Sequence, residues 1–197
     1  MIEPEAVALI LLAAGRSTRF GVADKLAAPL HGRPLVQHAA NTLSPIPFGR
    51  HIAVCSSSLP VDFAALGFDV AWLRPGEPLS VSLAAGIARA EATACEACLI
   101  VLSDMPFVPR SHFEALLEQY SPPAIATGNA GRPMVPALFG RELWADISRL
   151  SGDQGARGLL ADAAQLAAPA HWLVDIDSPE ELEHAENMPV TPSATDR

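Results

Sequence analysis

The feature that most constrains this chain is an uninterrupted apolar run, Val7-Ala8-Leu9-Ile10-Leu11, that opens directly into small and basic residues. With no polar alternation, the run reads as a strand buried on both faces, the kind that lies inside a parallel sheet. The stretch that follows is Leu12-Ala13-Ala14-Gly15-Arg16-Ser17-Thr18-Arg19-Phe20-Gly21, with Lys25 four residues on. Small residues let a backbone approach a ligand closely, and successive N–H groups in such a turn form a concavity that suits an anion. Arg16, Arg19 and Lys25 add fixed positive charge, so the simplest ligand is a polyphosphate. Two common phosphate loops are excluded: the Walker pattern is absent, and the loop lacks the third glycine of the dinucleotide fingerprint.

Composition sharpens this. The net charge is −9, which argues against a nucleic-acid surface, so three cations within ten residues stand out. Cys55, Cys95 and Cys98 are an odd number of thiols, which speaks against a disulfide framework and for reduced residues in the cytoplasm. Cys95 and Cys98 have redox or zinc spacing, but no second Cys/His pair accompanies them. Glu3 and Glu5 near the start are not the basic flank of a signal peptide, and the apolar run is too short to span a membrane.

Strand and helix patterns alternate along the chain, which predicts a parallel sheet with helices on both faces. Strands are expected at 51–55, 68–73, 98–102, 124–127 and 171–176, with an extended segment at 134–139. Helices are expected at 34–43, 59–66 (closed by Gly67), 80–92 (capped by Ser80), 111–120 (exposed) and 141–150, and from Asp177 on. Residues 128–133 read as a mobile turn. Ser178, Pro179 and Glu181 have the spacing of a helix start with a capping box. No linker or repeat divides the chain, so 1–187 reads as one domain and 188–197 as a disordered tail.

Asp104 follows an apolar strand and faces the basic loop, which makes it a natural Mg²⁺ ligand beside a triphosphate. Asp175 and Asp177 flank one apolar residue on an expected strand and so point to the same side. Asp177, or else Asp175, completes the metal site with Asp104.

The loop pattern L-A-A-G-x-S-x-R-x-G followed by Lys25 resembles the signature of nucleotidyltransferases that include molybdenum cofactor cytidylyltransferase and guanylyltransferase, the molybdopterin-guanine-dinucleotide-synthase-like family. The likeness extends over nearly the whole chain. Ser103-Asp104-Met105-Pro106 is similar to the family's G-D-M-P motif, with serine for the first glycine. The segment around Ser80 and Ser82 is similar to its G-x-x-x-S-L-x-x-G, residues 151–158 to its G-D-x-G-A-R, and residues 175–182 to its D-I-D-T-P-E-D-L. The turn at Arg132 and Pro133 departs from the family's G-H-P or G-N-P loop, and Val135-Pro136-Ala137 looks like a small insertion.

The resemblance implies a Rossmann-like three-layer sandwich of the nucleotide-diphospho-sugar transferase type, with a mostly parallel sheet. It implies that Leu12, Ala13, Ala14, Gly15, Arg16, Ser17, Arg19 and Lys25 hold the nucleotide, with Ser80 and Ser82 near the base. Arg16, Arg19, Lys25 and Asp104 would be catalytic, and Arg132, Pro133, Asp153 and Arg157 would face the acceptor. The implied reaction moves CMP from CTP, with Mg²⁺, to a molybdopterin-type acceptor and releases pyrophosphate. Cytosine is expected because guanylyl-transferring members show L-A-G-G where this chain has Ala14, whose methyl narrows the pocket. Guanylyl or sugar-phosphate transfer on the same fold stays open, as does a non-catalytic role in maturing a molybdoenzyme. A molybdoenzyme or its chaperone is left open as a partner; neither nucleic acid nor membrane is expected as one.

Overall fold

The computed structural model of the protein describes residues 1–15, 20, 24–153 and 155–188. In chain order its elements are β1 (Val7–Ala13), β2 (Pro29–Leu30), β3 (Arg33–Pro34), α1 (Leu35–Leu43), β4 (Arg50–Cys55), β5 (Asp69–Trp72) and α2 (Leu79–Glu91). Next come β6 (Ala97–Leu102), α3 (Arg110–Gln119), β7 (Ala124–Asn129), β8 (Arg132–Gly140), α4 (Trp144–Ser148), β9 (Ala164–Ala167) and α5 (Pro179–Glu186). Seven strands make one sheet in the order β5-β4-β1-β6-β8-β7-β9, and β2 and β3 form a small separate ribbon.

Every residue of β1 is buried, as the apolar run requires. Val7, Leu9 and Leu11 pack into one core with residues of α1, α3 and α5, whereas Ala8, Ile10 and Leu12 pack into a second core with α2 and α4. The sheet is therefore the middle of three layers, and the architecture is the expected Rossmann-like one. β1 pairs in parallel with β4 on one side and β6 on the other. The chain thus runs outward from β1 through β4 to β5, then returns to start β6 on the opposite side. That reversal opens a crevice at the carboxyl ends of β1 and β6, where open α/β sheets bind ligands.

The sheet is not parallel throughout, because β8 runs antiparallel to both β6 and β7. Residues 128–133 are a tight hairpin, not a loose turn. Ala130 and Gly131 have φ of 48° and 76° and join paired Asn129 and Arg132, the two-residue connection whose twist suits a hairpin. The suspected insertion is a bulge: Ala126 faces Ala137 but Thr127 faces Met134, so Val135 and Pro136 are extra. The buried Thr127 hydroxyl donates to the Pro136 carbonyl at 2.7 Å and lies 2.8 Å from His112 Nε2, which fixes the bulge to α3.

Other expectations are corrected. Residues 171–176 form no strand; the last strand is β9, parallel to β7. β9 is a short, mostly exposed edge with no apolar pattern to betray it. The apolar signal at 171–176 comes from Leu173 and Ile176, which are buried in the core with α5 and are not paired in the sheet. Residues 59–66 contain only a turn, which Asp62 stabilises by accepting from Ala65 N and which ends at Gly67 with φ 82°. The helix near 111–120 is not exposed: His112, Phe113, Leu116 and Leu117 bury one face. Residues 141–150 begin as a 3-10 turn at Arg141–Leu143 before α4. Nor does Ser80 cap α2. The helix begins at Leu79, whose N–H reaches Asp153 Oδ1 at 3.2 Å, while Ser80 N–H donates to Gly152 O at 3.1 Å. The expected tail lies, from 189 on, outside the described residues.

The close fit of α2 on β1 depends on Gly86, where an added Cβ would come 2.5 Å from Ile10 Cγ2. Gly86→Leu should push the helix off the sheet at a cost of about 1–3 kcal/mol, the usual range for overpacking. For a chain of this size that lowers Tm by roughly 2–12 °C. A thermal melt unchanged from wild type would contradict this account of the layer spacing.

Candidate active site

Four side chains meet at the crevice. Lys25 opens a 3-10 turn (Lys25–Ala27) just after the basic loop. Its preceding residue, Asp24, accepts from Leu26 N and from the Ser57 hydroxyl, which ties this turn to the end of β4. The Lys25 side chain is 5% exposed, and its ammonium donates to Asp104 Oδ2 at 2.7 Å and to Asp177 Oδ1 at 2.6 Å. Burial works against that charge, but the charges and hydrogen bonds of Asp104 and Asp177 outweigh it and hold the pKa above the ordinary lysine value.

Asp104 stands two residues beyond β6, and Ser103 N donates to Leu12 O at 3.1 Å, which locks the β6 end to the β1 end. The segment carrying Asp175 and Asp177 is irregular, and Ile176 N fastens it by donating to Asp104 O at 3.1 Å. Asp104, Asp175 and Asp177 each offer an oxygen within 4.8 Å of the other two. The expected convergence therefore occurs, although a buried anchor at Ile176 produces it and strand alternation does not. Burial, followed by the charges of Asp104 and Asp177, pushes the Asp175 carboxyl up to about 7 despite the opposing charge of Lys25.

This set fits a hard divalent cation. Asp104 Oδ1 is buried without a hydrogen-bond partner among the described residues. Among the described residues three carboxyl groups cluster around one ammonium, and hard oxygen donors of this kind are what Mg²⁺ or Mn²⁺ prefers. The thiols offer no alternative centre. Cys55, Cys95 and Cys98 are free and buried, and burial pushes the Cys55 thiol up to about 12 and the Cys98 thiol well above its usual range.

On the α2 face of the sheet the crevice continues as a cavity of about 370 Å³. Leu12, Leu79, Leu83, Leu102, Met134 and Val135 give it an apolar wall, and Asn129, Arg132 and Arg157 supply its polar groups. The two arginines expected on the acceptor side thus share one pocket. Pro133 precedes Met134 on β8, and Asp153 serves as the cap of α2. Ser80 and Ser82 are buried in the first turns of that helix. Ala13 is buried, Ala14 packs against the α2-side core, and Gly15 is exposed, with no described atom near where a Cβ would sit. Arg16, Ser17 and Arg19 lie outside the described residues. Asn129, Met134 and Val135 were not singled out from sequence; a hairpin displaced by a bulge brings them here.

If the carboxylates and Lys25 form one electrostatic unit, Lys25→Met leaves two of them without their internal cation. A partly buried charge that loses its partner costs about 1–3 kcal/mol, and Asp177, 45% exposed, keeps the figure below that of a deep pair. Tm should fall by roughly 2–12 °C, and Mn²⁺ should restore more of it in the variant than it adds to wild type. A melt indifferent to both changes would break the unit apart.

The sequence matches the MobA-like NTP transferase domain over residues 9–169. It is 32% identical over 189 residues to the molybdenum cofactor guanylyltransferase of Cereibacter sphaeroides, covering 91% of this chain and 95% of that one. It is 29% identical over 195 residues to the purine catabolism protein PucB of Bacillus subtilis, covering 88% and 93%. Among solved structures, Rv0371c of Mycobacterium tuberculosis H37Rv superposes with a TM-score of 0.79 at 21% identity, over 92% of this chain and 98% of that one, a likeness of fold. The layered sheet, the crevice and the match over most of the sequence lead to one conclusion: the chain belongs to the MobA-like NTP transferase family.

Proposed function

We propose that the protein transfers CMP from CTP to a phosphate on a molybdopterin-type acceptor. An acceptor phosphate oxygen attacks the α-phosphorus, the bond to the β-phosphate breaks, and pyrophosphate leaves. The observation that carries this reading is the cluster of Asp104, Asp175, Asp177 and Lys25 at the carboxyl ends of β1 and β6; in sequence β1 runs on into the small and basic residues of 12–19. A phosphate nucleophile is already ionised at neutral pH, so the site needs no general base, and none of its four side chains is a histidine.

Each residue then has a task. The 12–19 loop cradles the triphosphate with its backbone, and Arg16, Arg19 and Lys25 offset charge on the departing pyrophosphate. Mg²⁺, held by Asp104 with Asp177 or Asp175, would neutralise charge at the α-phosphate. Ser80 and Ser82 shape the base side together with Ala14. Arg132 and Arg157 receive the anionic end of the acceptor, with Pro133 framing the pocket and Asp153 acting through α2. Buried free thiols support a reducing compartment such as the cytoplasm. Among the described residues no helix is long and apolar enough to cross a membrane.

A second reading, GTP as donor, is favoured by the relative named a guanylyltransferase. The two are separated by pyrophosphate release from CTP and from GTP with the acceptor present. If Ala14 excludes purines, kcat/KM favours CTP by about 10–200-fold, the worth of one methylene-scale misfit. Ala14→Gly then narrows the ratio, while a ratio unmoved by the change assigns base choice elsewhere. Asp104→Asn, which keeps shape and removes charge, should abolish Mg²⁺-dependent nucleotide binding with little loss of stability. A folded Asp104→Asn protein of normal activity would refute the metal role.

A further inference from the structure

The capping box at the start of α5 does more than begin a helix. Ser178 Oγ accepts from Glu181 N at 3.2 Å, which is the ordinary N-cap half of the motif. The returning half is displaced by one residue: Glu181 Oε2 accepts at 2.7 Å from the N–H of Asp177, not from that of the cap residue. Asp177 is one of the two carboxylates that hold Lys25. It lies on an irregular segment with no ladder to fix it, and its side chain is 45% exposed. Two of its backbone N–H groups are held, Ile176 N by Asp104 O and Asp177 N by Glu181 Oε2. The first sets how deep the segment sits. The second sets the peptide plane from which the Asp177 carboxylate springs.

From this geometry we infer that Glu181 is a positioning residue of the active site, which holds Asp177 in place for the cation and for Lys25 by gripping its backbone N–H. This rests on the reading that the carboxylate cluster holds a divalent metal. Groups that orient a metal ligand from behind typically change affinity about 10–100-fold when removed.

The test separates positioning from helix stability, because the two halves of the capping box can be cut one at a time. Mn²⁺ alone is titrated into the full-length protein, with free ion followed by electron paramagnetic resonance, and Tm is measured in parallel. Glu181→Ala should weaken Mn²⁺ binding by about 10–100-fold. Ser178→Ala should lower Tm but leave Mn²⁺ binding close to wild type. Glu181→Gln keeps an acceptor oxygen for Asp177 N–H and should bind nearly as wild type does. If Glu181→Ala does not fold, Glu181→Met keeps the bulk without the acceptor and is read in its place. Undiminished Mn²⁺ binding in the variant without an acceptor overturns the inference. So does an equal loss in Ser178→Ala, or a loss in Glu181→Gln as large as in Glu181→Ala. A wild-type protein that binds no Mn²⁺ overturns the underlying metal reading, and the inference with it.

Discussion

The structure turns on a nearly buried ammonium. Lys25 reaches Asp104 and Asp177, 79 and 152 positions away in sequence, so one cation joins the start, middle and end of the chain. A charge removed from water is tolerated only when it is paired and hydrogen-bonded. The surroundings meet that condition from every side: Asp24 fixes the turn that carries Lys25, Ser103 bonds to β1, and Ile176 bonds to Asp104. Among the described residues, three carboxyl groups gather around one ammonium. Burial first, and the charges of Asp104 and Asp177 second, raise the Asp175 carboxyl to about 7. Clustered carboxyl oxygens of this kind suit a divalent cation.

The two faces of the sheet divide the work. Ionic groups collect at the crevice, where the strand order reverses. The α2 face supplies a mainly apolar pocket with arginines among its lining residues. The pocket takes its shape from the β7–β8 bulge, which the Thr127 hydroxyl holds through Pro136 O, and from α2, whose first turn is sealed by Gly152 and Asp153. None of these named hydrogen bonds involves Lys25 or the three carboxyl groups. Charge and shape at the proposed site are thus set by separate parts of the fold.

Much of this was legible in the sequence. The apolar run at Val7–Leu11 announced a doubly buried strand, and Asp104 announced itself by following another. Asp177, or else Asp175, was expected beside Asp104 from strand alternation; both lie there, and a single fully buried side chain, Ile176, anchors them without any strand. β9 was missed because an exposed edge carries no hydrophobic period. The cap of α2 was misassigned to Ser80 because its true partner, Asp153, is 74 residues away, and a local pattern cannot register a distant acceptor. For the same reason Lys25 was read by its neighbours in sequence, as a phosphate contact alone, while its carboxylate partners came only with the fold. Arg16, Ser17 and Arg19 remain where the sequence left them, as the basic part of the loop.

The account stands on one claim, that the carboxyl ends of β1 and β6 hold metal and nucleotide in a single site. The most direct test is a crystal structure with Mn²⁺ and a non-hydrolysable CTP analogue, read by anomalous scattering. The account predicts one Mn²⁺ peak ligated by Asp104 and by Asp177 or Asp175, with the α-phosphate in the same coordination sphere and the triphosphate over residues 12–19. A nucleotide bound away from this crevice, or Mn²⁺ ligated by none of the three carboxylates, would contradict it.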